Sequence, residues 1–264
     1  MSTAALRARN GDVELVYELL GSGPPILLIQ GLGYGGRGWG PTLELLAEDF
    51  TVAAFDNRGF GASDIPPGPY TVRELAEDAR AVLDATGLDR AHVLGASLGG
   101  MVAQELALAH PDRVDRLVLA CTTPGGIASF PMPPQTVALM VEAATLPPNV
   151  ALRRFVENGL GDGSSKELVR RIVAYRTANP PDLGGWQSQA TAGATHDALD
   201  RIGGIAAPTL VLHGTEDAVV DSRNADLLAE RIPDARVELL PGCGHLLFWE
   251  EPERFTQRVK EFLA

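Results

Sequence analysis

Gly95-Ala96-Ser97-Leu98-Gly99-Gly100 is the stretch on which the fold turns. It follows the apolar run Ala91-His92-Val93-Leu94, long enough for a buried strand. It precedes Met101-Val102-Ala103-Gln104-Glu105-Leu106-Ala107-Leu108-Ala109, which holds good helix formers throughout. A serine in a Gly-x-Ser-x-Gly stretch between a strand and a helix reads as a nucleophile elbow, a sharp turn that lifts the hydroxyl at the end of a sheet. Gly95 and Gly99 suit that turn because it brings strand and helix too close for larger side chains. Alone, the pentapeptide is a weak match, and its surroundings decide its weight.

Toward the amino end, residues 13–20 partly alternate apolar and polar, as a half-exposed antiparallel strand does. Ile26 to Ile29 is a continuous apolar run suited to a strand buried on both faces of a parallel sheet. It ends in the glycine-rich loop Gln30-Gly31-Leu32-Gly33-Tyr34-Gly35-Gly36, before a helix starting near Pro41. Thr51 to Phe55 makes another strand, closed by Asp56-Asn57-Arg58-Gly59-Phe60-Gly61-Ala62-Ser63. Thr71-Val72-Arg73-Glu74 has the form of a capping box opening a helix to about Thr86.

Toward the carboxyl end, Val114 to Cys121 is a further strand. The alternation of strand and helix predicts an α/β chain with a mostly parallel sheet flanked by helices. From 127 to 204 the strands stop and helical spacing takes over, as at Leu168, Ile172 and Tyr175, interrupted by Pro147-Pro148 and Pro180-Pro181. The expected organisation is a core of residues 1–126 and 205–264 with a helical cap, 127–204, inserted at one end of the sheet. Alternation resumes with a strand at Thr209 to His213, a helix at Ser222 to Arg231, a strand at Arg236 to Leu240, and a last helix carrying Phe255, Val259 and Phe262 on one face.

Composition narrows the class. The chain has 264 residues, 45% of them hydrophobic and 21% charged, the profile of a soluble globular protein. Its apolar runs are too short to span a bilayer, and its amino terminus lacks the pattern of a signal peptide, so the expected location is the cytoplasm, with no membrane partner. A formal net charge of −12 argues against nucleic acid as a partner and is accounted for by solubility. Cys121 and Cys243 show no metal-ligand spacing and are expected to be reduced thiols, with Cys243 sensitive to thiol reagents through its closeness to His245.

A serine hydroxyl needs a base, and the base needs a group that fixes its tautomer. Asp217, in the loop Gly214-Thr215-Glu216-Asp217, and His245, in Pro241-Gly242-Cys243-Gly244-His245, both follow strands and supply these. The order Ser97, Asp217, His245 sets the chain apart from the two serine protease arrangements. Of the other candidates, Glu216 and Asp221 read as surface and helix-start acids, and His213 as packing or loop support. His92, His110 and His196 read as structural, Arg58 as a loop-fixing residue, and Ser63 as a loop residue without a base.

With these motifs in hand the sequence resembles the α/β-hydrolase superfamily over nearly its whole length. The resemblance rests on Gly31-Leu32-Gly33, Asp56-x-Arg58-Gly59-x-Gly61-x-Ser63, the elbow at Ser97, and the loops Gly214-x-x-Asp217 and Gly244-His245. It implies an oxyanion hole from the backbone N–H groups of Leu32 and Leu98, and no metal or organic cofactor. One departure is Gln30-Gly31 where the family most often has His-Gly, a change expected to alter the support of that loop.

The expected substrate is a small molecule, an ester or lactone. Phe130, Met132, Trp186 and Leu246, with Leu32 and Leu98, are the expected pocket residues and suit an uncharged acyl or alkyl group. That favours a carboxylesterase working through an acyl-enzyme. An enol-lactonase is the alternative, for which Arg153, Arg154, Arg170, Arg171 and Arg176 in the insertion are possible carboxylate contacts, although most of them are expected to face solvent. In a different class stands a ligand receptor built on the hydrolase fold with slow turnover. Oligomeric state has no signature in the sequence.

Overall fold

Glycine-punctuated apolar runs set the strands of this protein, described from residue 5 to 264 in a computed structural model. The strands are β1 (Leu6–Asn10), β2 (Val13–Leu20), β3 (Pro25–Ile29), β4 (Thr51–Phe55), β5 (Ala91–Ala96), β6 (Val114–Ala120), β7 (Thr209–Gly214) and β8 (Ala235–Leu240). They form one sheet in the order β1-β2-β4-β3-β5-β6-β7-β8. β1 and β2 are antiparallel to their neighbours; from β4 to β8 every pairing is parallel.

Strand β1 has no counterpart in the sequence reading. Its residues Leu6-Arg7-Ala8-Arg9-Asn10 bury only Ala8, while Arg7 and Arg9 both reach Glu14 on β2. One buried alanine leaves almost no hydrophobic pattern, and pairing with β2 holds the strand in place.

Ten α-helices among the described residues cover the two faces and the cap. They are α1 (Pro41–Ala47), α2 (Val72–Thr86), α3 (Leu98–Ala109), α4 (Pro134–Ala143), α5 (Pro148–Asn158), α6 (Lys166–Ala178), α7 (Leu183–Thr195), α8 (Arg223–Arg231), α9 (Leu247–Glu250) and α10 (Pro252–Leu263). The start of α2 is a complete capping box, with the Thr71 hydroxyl accepting from Glu74 N–H and the Glu74 carboxylate accepting from Thr71 N–H. Successive strand residues face opposite sides of the sheet, so Leu27 and Ile29 join Leu75, Val82, Leu106 and Leu228 in one core. Ile26 and Leu28 join Leu46, Phe255 and Val259 in the other. Burial on both faces is the reason β3 reads as an unbroken apolar run.

Helices α4 to α7 all lie between β6 and β7, in the segment expected to be helical. The two ends of this insertion meet. Gly125 and Asp197 form an isolated antiparallel bridge, Gly126 N–H donates to the His196 carbonyl at 2.9 Å, and Ala198 N–H to the Pro124 carbonyl at 2.9 Å. No helix of the described residues is long and apolar enough to cross a membrane.

Candidate active site

Ser97 stands between β5 and α3 with φ 55° and ψ −121°, in a region that L-residues with a side chain seldom occupy. Such strain costs roughly 1–3 kcal/mol and persists only where the surroundings impose it. Here they do. A Cβ on Gly95 would lie 2.2 Å from the Gly99 carbonyl oxygen, and one on Gly99 would lie 2.0 Å from the Ile29 carbonyl oxygen. Strand, turn and helix therefore pass as close as the elbow reading required.

Two backbone N–H groups lie next to the serine. Leu98 is the first residue of α3, so its N–H has no acceptor within the helix. Leu32 lies in the loop after β3, and among the described residues its N–H donates to no backbone or side-chain acceptor. This loop runs against the serine, since a Cβ on Gly31 would lie 3.0 Å from Ser97 Cβ. Gln30 supports it from below: its Oε1 accepts the Gly31 N–H at 2.8 Å and its carbonyl accepts Asn57 Nδ2 at 3.0 Å. From the cap, Gln189 on α7 accepts the Gly33 N–H at 3.3 Å while its own Nε2 donates to the Arg58 carbonyl at 2.8 Å.

The loops after β7 and β8 bring Asp217 and His245 together. His245 Nδ1 lies 2.8 Å from Asp217 Oδ2, and Asp217 Oδ1 accepts the N–H groups of Val219 and Val220 at 2.8 and 2.9 Å. A second histidine reaches the same carboxylate. His213 Nε2 is 3.0 Å from Asp217 Oδ2 and 3.0 Å from the Val220 carbonyl, and two acceptors facing one ring nitrogen require the hydrogen on it. Burial disfavours the charge of Asp217. The nearby His245 and the hydrogen bonds from His213 and His245 outweigh burial and hold the carboxyl well below the usual range.

Cys121, His213 and Asp217 also place three donor atoms within 4.8 Å of one another. The Asp217 oxygens are already taken by four donors. Burial, then the charge of Asp217, pushes the Cys121 thiol far up, so it stays protonated. The cluster fits a fixed hydrogen-bond network better than a metal site.

Ser97 and His245 open on one cavity of about 700 Å³ between the strand ends and the cap. Leu32, Leu98, Phe130, Met132, Trp186 and Leu246 all line it, together with Gln30, Tyr34 and Arg176. Phe130 also carries the Arg223 guanidinium 4.2 Å above its ring, which fixes that wall.

Other residues weighed in the sequence fall elsewhere. Glu216 accepts the Asp162 N–H, and Asp221 pairs with Arg223. Arg58 makes two bonds to buried Asp78, at 2.5 and 2.7 Å, and Ser63 Oγ donates to the Asp56 carbonyl at 2.6 Å. The expected sensitivity of Cys243 to thiol reagents is corrected: the residue is 2% exposed, and burial together with Glu250 raises its thiol to about 11, which leaves little thiolate.

Two contacts go beyond the sequence reading. His213, read as packing or loop support, holds the loop through the Val220 carbonyl and also reaches Asp217. Glu250, five residues after His245, accepts Gly244 N–H at 2.8 Å on one oxygen and Gly161 N–H at 2.6 Å and Ser164 Oγ at 2.9 Å on the other. It ties the histidine loop to the cap.

Over its length the chain is similar to known proteins in sequence and in fold. A protein from Azorhizobium caulinodans that carries the name of a carbamate hydrolase is 31% identical over 97% of this chain and 97% of its own. The 2-hydroxy-6-oxononadienedioate/2-hydroxy-6-oxononatrienedioate hydrolase of Paraburkholderia xenovorans is 30% identical over 98% of this chain and 93% of its own. The crystal structure of an enol-lactonase from Burkholderia xenovorans LB400 superposes with a TM-score of 0.84 at 30% identity, over 98% of this chain and 99% of that one. The family model described as the alpha/beta hydrolase fold matches residues 24–252, and the chain belongs to that family as one of its hydrolytic enzymes.

Proposed function

We propose that this protein hydrolyses carboxylic esters of small or medium size through an acyl-enzyme, with Ser97 as nucleophile, His245 as base and Asp217 as the group that orients it. The observation carrying this reading is the pairing of a strained, cavity-facing Ser97 with a histidine whose Nδ1 is committed to a buried carboxylate. With Nδ1 engaged, Nε2 is the nitrogen left to take the serine proton. Ser97 Oγ attacks the ester carbonyl, and the N–H groups of Leu32 and Leu98 stabilise the oxyanion. His245 then passes its proton to the leaving alcohol. Water, deprotonated by His245, releases the acid from Ser97.

The wall supplied by Phe130, Met132, Trp186 and Leu246 suits an acyl or alkyl group of modest length. The likeness to an enol-lactonase supports a second reading, hydrolysis of a lactone by the same steps. Two buried, unpaired thiols suit a reducing compartment, and the cytoplasm is the proposed location.

A panel of p-nitrophenyl esters of increasing chain length, run beside simple lactones, tests the reading. Ester turnover with kcat lowered at least ~10³-fold in a folded Ser97→Ala variant is expected. Lactone turnover without ester turnover selects the second reading. Binding without turnover of either class selects a receptor and overturns both.

A further inference from the structure

The cap arginines do not share one fate. Arg153 pairs with Glu157, Arg154 with Glu142 and Arg170 with Glu167, while Arg171 is exposed beside the Trp249 ring. Arg176, on α6, lines the cavity and has no carboxylate within ion-pair distance among the described residues. Its guanidinium lies 4.3 Å from the centre of the Tyr34 ring, and its Nε is buried with no hydrogen-bond partner.

The surroundings of Gly33 show where this side chain lies. A Cβ placed on Gly33 would lie 3.3 Å from Trp186 Nε1 and 3.5 Å from Arg176 Nη2. An indole N–H and one edge of a guanidinium thus converge on one spot, immediately after Leu32 in the loop beside Ser97. Both groups donate only, and among the described residues neither the Trp186 indole N–H nor the Arg176 guanidinium has an acceptor. A cation left unpaired in a mainly apolar cavity is costly unless a ligand supplies its counter-charge.

We propose that the substrates of this site carry a carboxylate a few carbons from the carbonyl that Ser97 attacks, and that Arg176, assisted by Trp186, selects them. This rests on the ester-hydrolase reading above. The guanidinium fork matches a carboxylate in a bidentate pair, and the indole N–H supplies a further donor to it. One cation calls for one anionic group, and the net charge of −12 opposes a polyanion. The uncharged group expected from the sequence then occupies the apolar wall as the chain between carbonyl and carboxylate.

The test compares monomethyl adipate with its neutral analogue, methyl adipamate, in a pH-stat assay. The wild type is expected to favour the monoester by about tenfold or more in kcat/KM. Arg176→Gln brings the ratio to about one, Arg176→Lys keeps part of it, and Trp186→Phe lowers it about two- to fivefold. A wild-type ratio near one, or a ratio that survives Arg176→Gln, overturns the proposal while leaving ester hydrolysis intact.

If neither ester is turned over, the p-nitrophenyl panel decides the ester-hydrolase reading, and calorimetry on the Ser97→Ala variant decides the anion site by itself. Monomethyl adipate binding about tenfold tighter than methyl adipamate, with the difference lost on adding Arg176→Gln, supports it. Equal binding of the two overturns it.

Discussion

Asp217 accepts hydrogen bonds from His245, His213, Val219 and Val220. Three of these donors lie close in sequence to the acid and form independently of the histidine loop. They hold the carboxylate in place, so the imidazole faces an acceptor of fixed orientation. His213 is a positioning residue in this scheme, because it reaches the reaction only through Asp217. His213→Leu is expected to lower kcat/KM by about tenfold, roughly the worth of one buried charge-assisted hydrogen bond. With one donor gone, Asp217 attracts the imidazolium more strongly. The acid limb of the kcat/KM profile then moves to higher pH, a change that packing loss alone does not produce. His213→Gln, which can present an N–H near the same point, is expected to restore much of the rate. A profile unmoved in His213→Leu removes His213 from the mechanism.

At the scale of elements, the cap packs its apolar residues against Leu246, Phe248 and Trp249 and is also tied at turns to the loop that carries His245. Glu250, at the end of α9, collects donors from Gly244, Gly161 and Ser164, and Leu246 N–H donates to the Gly159 carbonyl at 3.0 Å. In Glu250→Gln one amide nitrogen must face an N–H donor, which is expected to cost about 1–3 kcal/mol. A lower melting temperature and a raised KM check this, since the histidine loop and the cavity wall move together; an unchanged KM would mean the contact is structural only. The elements themselves were largely legible because strands such as Ile26–Ile29 and loops such as Gly214–Asp217 carry both an apolar run and its glycine stop. Asp217 and His245 were legible for the same reason, as polar residues placed by glycine turns after strands. Arg176 was not separable from Arg153, Arg154, Arg170 and Arg171, because side-chain direction in the cap depends on how α6 packs over Tyr34 and Trp186. No periodic pattern encodes that. Glu250 was silent because its partners are backbone N–H groups, which every residue has.

For the molecule as a whole, acid is the expected weakness. His196 is 7% exposed, and burial lowers it to about 4, against the opposing pull of Glu105 and Asp197 and with Arg201 and Arg73 also facing it. The folded state keeps the ring neutral, whereas the unfolded chain takes up a proton near pH 6.5. Between those values the unfolded state holds more protons, so stability is full above about pH 6.5 and falls as pH drops toward 4. The loss from this one residue is of order 3 kcal/mol. Asp217, held below its usual value, adds a further loss as pH falls below about 4. Melting temperatures measured from pH 8 to 4 are expected to fall through this window, and His196→Gln is expected to flatten the upper part of the curve. An equally steep curve in that variant would assign the loss to other groups. The closed ends of the insertion carry a different consequence. Because Gly125 meets Asp197 and the Pro124 and His196 carbonyls complete the clasp, the core presents the cap with two adjacent anchor points. A segment of another length between them changes the entropy of closure only slowly with its size. Exchanging residues 127–195 for another segment is therefore expected to leave Ser97, Asp217 and His245 in place while removing Arg176 and Trp186, and with them the proposed preference for a carboxylate.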